Sequence, residues 1–93
     1  MKKIVLKGYI TIPAQDLKAV QLELTTHIKL TKSESGCVVF DITQDQSDKH
    51  KYSVYEEFIN QESFLLHQQR VKNSAWGKVT TNVERHYKID GLD

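Results

Sequence analysis

The spacing of apolar residues along the chain changes period several times, and each change marks a predicted element. Over residues 3–12 the period is two: Ile4, Leu6, Gly8, Ile10 and Ile12 share one face, opposite Val5, Lys7, Tyr9 and Thr11. That alternation predicts a strand. Gly8 in mid-strand predicts a bulge or the close approach of a helix. Pro13 ends the strand and suits an opening helical turn, where no internal hydrogen bond is lost. From residue 14 to 31 the period becomes helical, with Leu17, Val20, Leu24, Ile28 and Thr31 on one stripe, flanked by Gln21 and His27. Asp16 near the start and Lys29 and Lys32 near the end agree with the helix dipole. Ser33, Glu34, Ser35 and Gly36 then supply a break.

Residues 37–43 predict a second strand, apolar on both faces at first: Val38, Phe40 and Ile42 against Cys37 and Val39. The polar stretch 44–51 reads as a hairpin turn. Residues 52–58 form the third strand, with Tyr52, Val54, Glu56 and Phe58 opposed to Ser53, Tyr55 and Glu57. Asn60 is a good N-cap and Glu62 falls in the first turn of the next helix. That helix carries Phe64, His67, Gln68 and Val71 on one stripe, and Lys72, Asn73 and Ser74 interrupt it. A second helical piece is expected at 74–82, anchored by Trp76 and Val79. A last strand is expected at 84–89.

The order β-α-β-β-α(α)-β predicts one α+β domain over residues 1–93, a ferredoxin-like sandwich with a four-stranded antiparallel sheet and its helices on one face. Val5, Tyr9, Cys37, Val39 and Tyr55 are expected on the opposite face. A sheet apolar on both sides has to be covered on both sides. Pairing of two sheets in a homodimer is the economical way for a small domain to achieve that.

Composition narrows the class of partner. Thirteen basic residues against twelve acidic ones leave a formal charge of +1, which gives no electrostatic case for nucleic acid or an anionic membrane. No stretch approaches the roughly 20 apolar residues of a membrane span, and the opening Met-Lys-Lys-Ile lacks the long apolar core of a signal peptide. A cytoplasmic protein is expected. The single cysteine, Cys37, lies in an apolar run and reads as buried filler rather than a reactive thiol. The four histidines fall in separate elements, without His-x-x-x-His spacing, so no metal box is expected.

Chemistry concentrates between Tyr52 and Trp76. A strand carrying a carboxylate on its apolar register feeds a capped helix whose stripe includes His67, which can leave a pocket between sheet and helix walled by an imidazole. Three segments then make the chain similar to the antibiotic biosynthesis monooxygenase domain family of the dimeric α+β barrel superfamily. They are Glu34-Ser35-Gly36-Cys37 opening the second strand, Val54-Tyr55-Glu56-Glu57-Phe58 in the third, and Glu62-Ser63-Phe64-Leu65-Leu66-His67 in the following helix. Many members have Trp where this chain has Phe58.

The resemblance implies oxygen insertion without metal, flavin or haem, and pairing of two copies through the sheet face. Such chemistry needs an electron-rich hydroquinone or phenol, whose anion itself reduces dioxygen. The protein then binds a flat ring, takes a proton and excludes water. On that footing His67 is the candidate base, with an ordinary pKa near 6.5, and Glu56 supports the charge or orients His67. Trp76, Tyr52 and Arg70 are candidate substrate contacts. Each has a plainer alternative: a histidine tying helix to sheet, a core Trp or Tyr, a solvated Arg. Arg85 and His86 read as exposed or interfacial, and His27 as structural. Haem breakdown is not supported, because residues 76–82 hold no histidine where the haem-degrading relatives carry their axial ligand. The rival to an enzyme is a non-catalytic dimeric module that binds small aromatic metabolites; a third possibility is an assembly element whose cavity is filled by its own side chains.

Overall fold

The computed structural model describes residues 2–92. Its elements are β1 (Ile4–Thr11), a 3-10 turn (Ala14–Asp16), α1 (Leu17–Lys32), β2 (Cys37–Gln44), β3 (Lys51–Phe58), α2 (Gln61–Lys72), α3 (Ala75–Val79) and β4 (Glu84–Asp90). The four strands form one antiparallel sheet in the order β2-β3-β1-β4, the ferredoxin-like arrangement expected from the pattern.

Register explains which residues face the helices. Ile4, Leu6, Gly8 and Ile10 of β1 pair with Phe58, Glu56, Val54 and Tyr52 of β3, so all eight point to one side of the sheet. That side forms the core, where Ile4, Leu6, Phe58 and Val20 from α1 are almost completely buried. Asn60 caps α2 as its sequence position suggested, its side-chain oxygen accepting from the Ser63 amide at 2.8 Å.

Three local expectations change. The helical pattern from residue 14 begins as a 3-10 turn, and α1 proper starts at Leu17. Gly8 accommodates a neighbouring strand and not a helix: a Cβ there would lie 1.9 Å from the backbone oxygen of His86 in β4. Cys37 does not join the open face. A bulge between Cys37 and Val39 leaves Val38 half exposed, and Cys37 pairs with Phe58 on the helix-covered side. The open face therefore carries Val5, Tyr9, Val39 and Tyr55 among Lys7, Ser53, Glu57, His86 and Lys88. Among the described residues, no helix is long and apolar enough to cross a membrane.

Candidate active site

The inward register of β3 puts Glu56 between Leu6 of β1 and Phe40 of β2, beneath α2. Only 7% of the residue remains exposed, and an ionised carboxylate there loses most of its hydration. Burial pushes its pKa up to about 7, with a further push from the negative charge of Glu34. The same helix face that buries Phe64 buries His67 one turn later. The ring packs against Phe58 at 4.9 Å between centroids and against Phe40 at 5.8 Å. Its Nε2 lies 3.9 Å from Glu56 Oε1, too far for a direct hydrogen bond.

The other nitrogen is held from the opposite side. Nδ1 lies 2.9 Å from Glu34 Oε1 and 3.3 Å from Oε2. Gly36 makes that approach possible, because a Cβ at this position would come within 2.1 Å of Ser63 Oγ at the start of α2. The loop after α1 therefore packs directly on α2, and Glu34 reaches His67. Arg70, one turn further along α2, donates from Nε to Glu34 Oε2 and from Nη2 to Thr31 Oγ1 at 2.9 Å. Burial lowers the pKa of His67, while the charge and hydrogen bond of Glu34 work against that lowering.

A cavity of about 180 Å³ opens between the helices and the sheet, walled by His27, Glu56, His67, Trp76, Arg85 and Tyr87 together with apolar side chains. His27, from α1, stacks flat on Trp76 at 4.4 Å and 1° between planes. Its Nδ1 is buried without a hydrogen-bond partner among the described residues. Desolvation, and after it the neighbouring His67 and Arg70, hold its pKa down to about 3, so the ring stays neutral. Trp76 is fixed by the short α3, whose Ser74 cap accepts from the Gly77 amide at 3.1 Å. The hydroxyl of Thr80 donates to the Trp76 carbonyl at 2.6 Å and accepts from Arg85 Nη2 at 3.0 Å. Burial above all, and then Glu56, push Tyr87 up to about 12, which keeps its phenol protonated as a donor.

Of the residues singled out in the sequence, the structure brings His67, Glu56 and Trp76 to this cavity. Tyr52 and Arg70 stand outside its wall. Tyr52 shares the inward face of β3 but sits at its far end, where its hydroxyl accepts from Gln21 Nε2 at 3.2 Å. Arg70 faces a separate cleft of about 300 Å³, lined also by Glu34, Gly36, Ser63, Leu66 and His67. Arg85, expected to be exposed or interfacial, is exposed and also lines the cavity: pairing with Ile10 turns it to the helix side, and Thr80 and the Val83 carbonyl hold its guanidinium. Glu34, quoted only as part of a family mark, is a residue the sequence undervalued; His27, read as structural, is buried and stacked on Trp76, and it also lines the cavity. The Glu-x-Gly spacing before β2 was the signal available for Glu34; His27 showed only as an imidazole beside an apolar stripe. Among the described residues, no group of three or more His, Cys, Asp or Glu is arranged to hold a metal ion.

The sequence matches the antibiotic biosynthesis monooxygenase family over residues 3–78. The chain belongs to that family. No curated protein matches it. Among solved structures, it resembles a conserved protein of unknown function from Bacteroides thetaiotaomicron, named a possible oxidoreductase, at 14% identity and a TM-score of 0.76, with 98% of each chain covered. It also resembles a Nitrosomonas europaea protein provisionally named an antibiotic biosynthesis monooxygenase, at 17% identity and a TM-score of 0.74, covering 96% of this chain and 93% of that one. PA3566 from Pseudomonas aeruginosa matches at 22% identity and a TM-score of 0.72, covering 99% of this chain and 93% of the other. These likenesses establish the fold of this family member.

Proposed function

We propose that the protein is a cofactor-independent monooxygenase that oxidises a quinol-like or phenolic compound with dioxygen. The observation carrying this proposal is the placement, 3.9 Å apart on the wall of one cavity, of His67 Nε2 and Glu56, an acid whose pKa is pushed up to about 7. A hydroxyl oxygen about 2.8 Å from each group would fit within their 3.9 Å separation. His67 accepts the hydroxyl proton, and protonated Glu56 donates to the anion left behind. The anion passes one electron to dioxygen, and recombination of the two radicals forms a carbon–oxygen bond. Breakage of the O–O bond then yields a quinone and water, the ring C–H and the proton on His67 supplying the water's hydrogens. Trp76, Tyr87 and the apolar wall hold the ring and exclude bulk solvent.

Cavity size favours a compact substrate. An enclosed apolar cavity of about 150 Å³ accepts benzene, so the 180 Å³ here has room for a single aromatic ring. We include in the same proposal a homodimer formed through the open sheet face, where Val5, Tyr9, Val39 and Tyr55 supply apolar surface. Light scattering at micromolar concentration should give twice the chain mass; a monomer would remove the dimer from the proposal.

The enzymatic part is tested by oxygen uptake with metal-free protein and a panel of hydroquinones and phenols, using labelled dioxygen. The expected product is a quinone carrying one labelled oxygen. Thermal stabilisation by the same compounds without oxygen uptake would favour the alternative, a non-catalytic dimeric binder of small aromatic metabolites.

A further inference from the structure

We infer that Glu34, braced by Arg70, is the positioning residue for His67: it holds the ring proton on Nδ1 and leaves the Nε2 lone pair facing the cavity. A carboxylate has no hydrogen to give, so the nitrogen 2.9 and 3.3 Å from its two oxygens must be the donor. In a neutral imidazole the remaining nitrogen is then the acceptor. That nitrogen points to the Glu56 side, and the Glu56 oxygen nearest it, at 3.9 Å, is beyond bonding distance.

The arrangement is directional because His67 divides two spaces. The ring lines both the cavity and the outer cleft, while Glu34 and Arg70 lie on the cleft side. Glu34 therefore touches the imidazole from outside the cavity, and reaches the cavity itself only through its charge, which also raises the pKa of Glu56. Its carboxylate is held in place: Arg70 Nε engages Oε2, and the same guanidinium reaches back to Thr31 on α1. The sequence suggested Glu56 for this orienting task, but its distance from the ring leaves the task to Glu34. The titratable or charged groups around His67 are Glu34 from the loop before β2, Glu56 from β3, Arg70 from its own helix and His27 from α1, with Arg85 and Tyr87 of β4 on the wall of the same cavity.

The catalytic consequence rests on the monooxygenase proposal. Proton transfer to Nε2 creates an imidazolium whose charge sits against the Glu34 carboxylate, and Nδ1–H never leaves its acceptor. The tautomer itself does not depend on that proposal, and the two can be tested apart.

Ring ¹⁵N spectra of histidine-labelled protein at about pH 8, above the ordinary pKa of histidine, read the tautomer directly. Wild type should show His67 protonated on Nδ1. Glu34→Gln keeps an acceptor oxygen and should retain that form, whereas Glu34→Ala should give a mixture with Nε2–H. Wild-type His67 protonated on Nε2 overturns the inference, as does an unchanged tautomer in a folded Glu34→Ala. In an active enzyme, Glu34→Ala should lower kcat roughly ten-fold or more with little change in KM. Glu34→Gln should move the acid limb of the kcat profile to lower pH, because the charge favouring imidazolium is gone; an unmoved limb counts against the inference. An Nδ1–H ring in a protein that oxidises no quinol overturns the monooxygenase proposal and upholds the role of Glu34.

Discussion

Two imidazoles sit 6.2 Å apart in one buried wall, and they differ in what meets their nitrogens. His67 has Glu34 on one nitrogen and Glu56 within 3.9 Å of the other. His27 has a Trp76 face against its ring and a buried Nδ1 with no partner among the described residues. Desolvation lowers both pKa values, but only at His67 does a carboxylate oppose it. The difference separates two uses of a buried histidine. One has a carboxylate that partly offsets the cost of charging the ring, as the proposed base requires; the other is a neutral, polar aromatic plate on the cavity wall.

The largest expected effect is on turnover. If oxidation depends on a carboxylate-supported base, His67→Ala should lower kcat by about 10²–10⁴-fold. His27→Phe, which preserves a flat ring against Trp76, should cost less than about ten-fold by the same yardstick. Steady-state oxygen uptake by both variants checks the contrast, and equal losses would abolish it.

Stability against pH gives the next effect. The folded pKa of His27, about 3, lies below its ordinary 6.5, so the unfolded chain binds the extra proton as pH falls between those values. Its contribution is present above pH 6.5 and is lost toward acid by roughly 1.4 kcal/mol per pH unit. Glu56 runs the other way. Its folded pKa of about 7 exceeds 4.5, so its contribution is fully present below pH 4.5 and is lost as pH rises from there to about 7. The full loss amounts to about 3 kcal/mol. The two windows overlap between pH 4.5 and 6.5 with opposite slopes, so urea titrations across that range should show stability falling with rising pH in His27→Phe and rising with pH in Glu56→Gln.

Phe40 offers the smallest and most even perturbation, since its edge meets His27 at 5.2 Å and His67 at 5.8 Å. Phe40→Leu should cost about 1 kcal/mol by thermal unfolding, with both ring resonances shifting together. A shift at one imidazole alone would mean that the two sites are not packed through this side chain.

The fold was legible because period-two and helical stripes were long and their breaks carried Pro13, Gly36 and Asn60. His67, Glu56 and Trp76 were legible for the same reason: each sits on an apolar stripe, where its side chain had to face the core. Arg85 was not, because only pairing with β1 fixes which side of β4 turns inward. Cys37 was misplaced by a bulge that one strand's own alternation does not reveal. Glu34 lies outside any periodic element, and its contact with His67 joins residues 33 positions apart in sequence. Loop-to-helix contacts of that kind depend on tertiary packing, here the contact made by Gly36 with Ser63.

The most direct measurement of the central claim is the ionisation of a chromophoric single-ring phenol, such as 4-nitrophenol, bound in the cavity. With His67 as base, the bound phenol should absorb as phenolate at a pH where the free compound is neutral, and His67→Ala should restore the neutral spectrum. A bound phenol that stays neutral in the wild type, or ionises equally without the imidazole, would contradict the assignment.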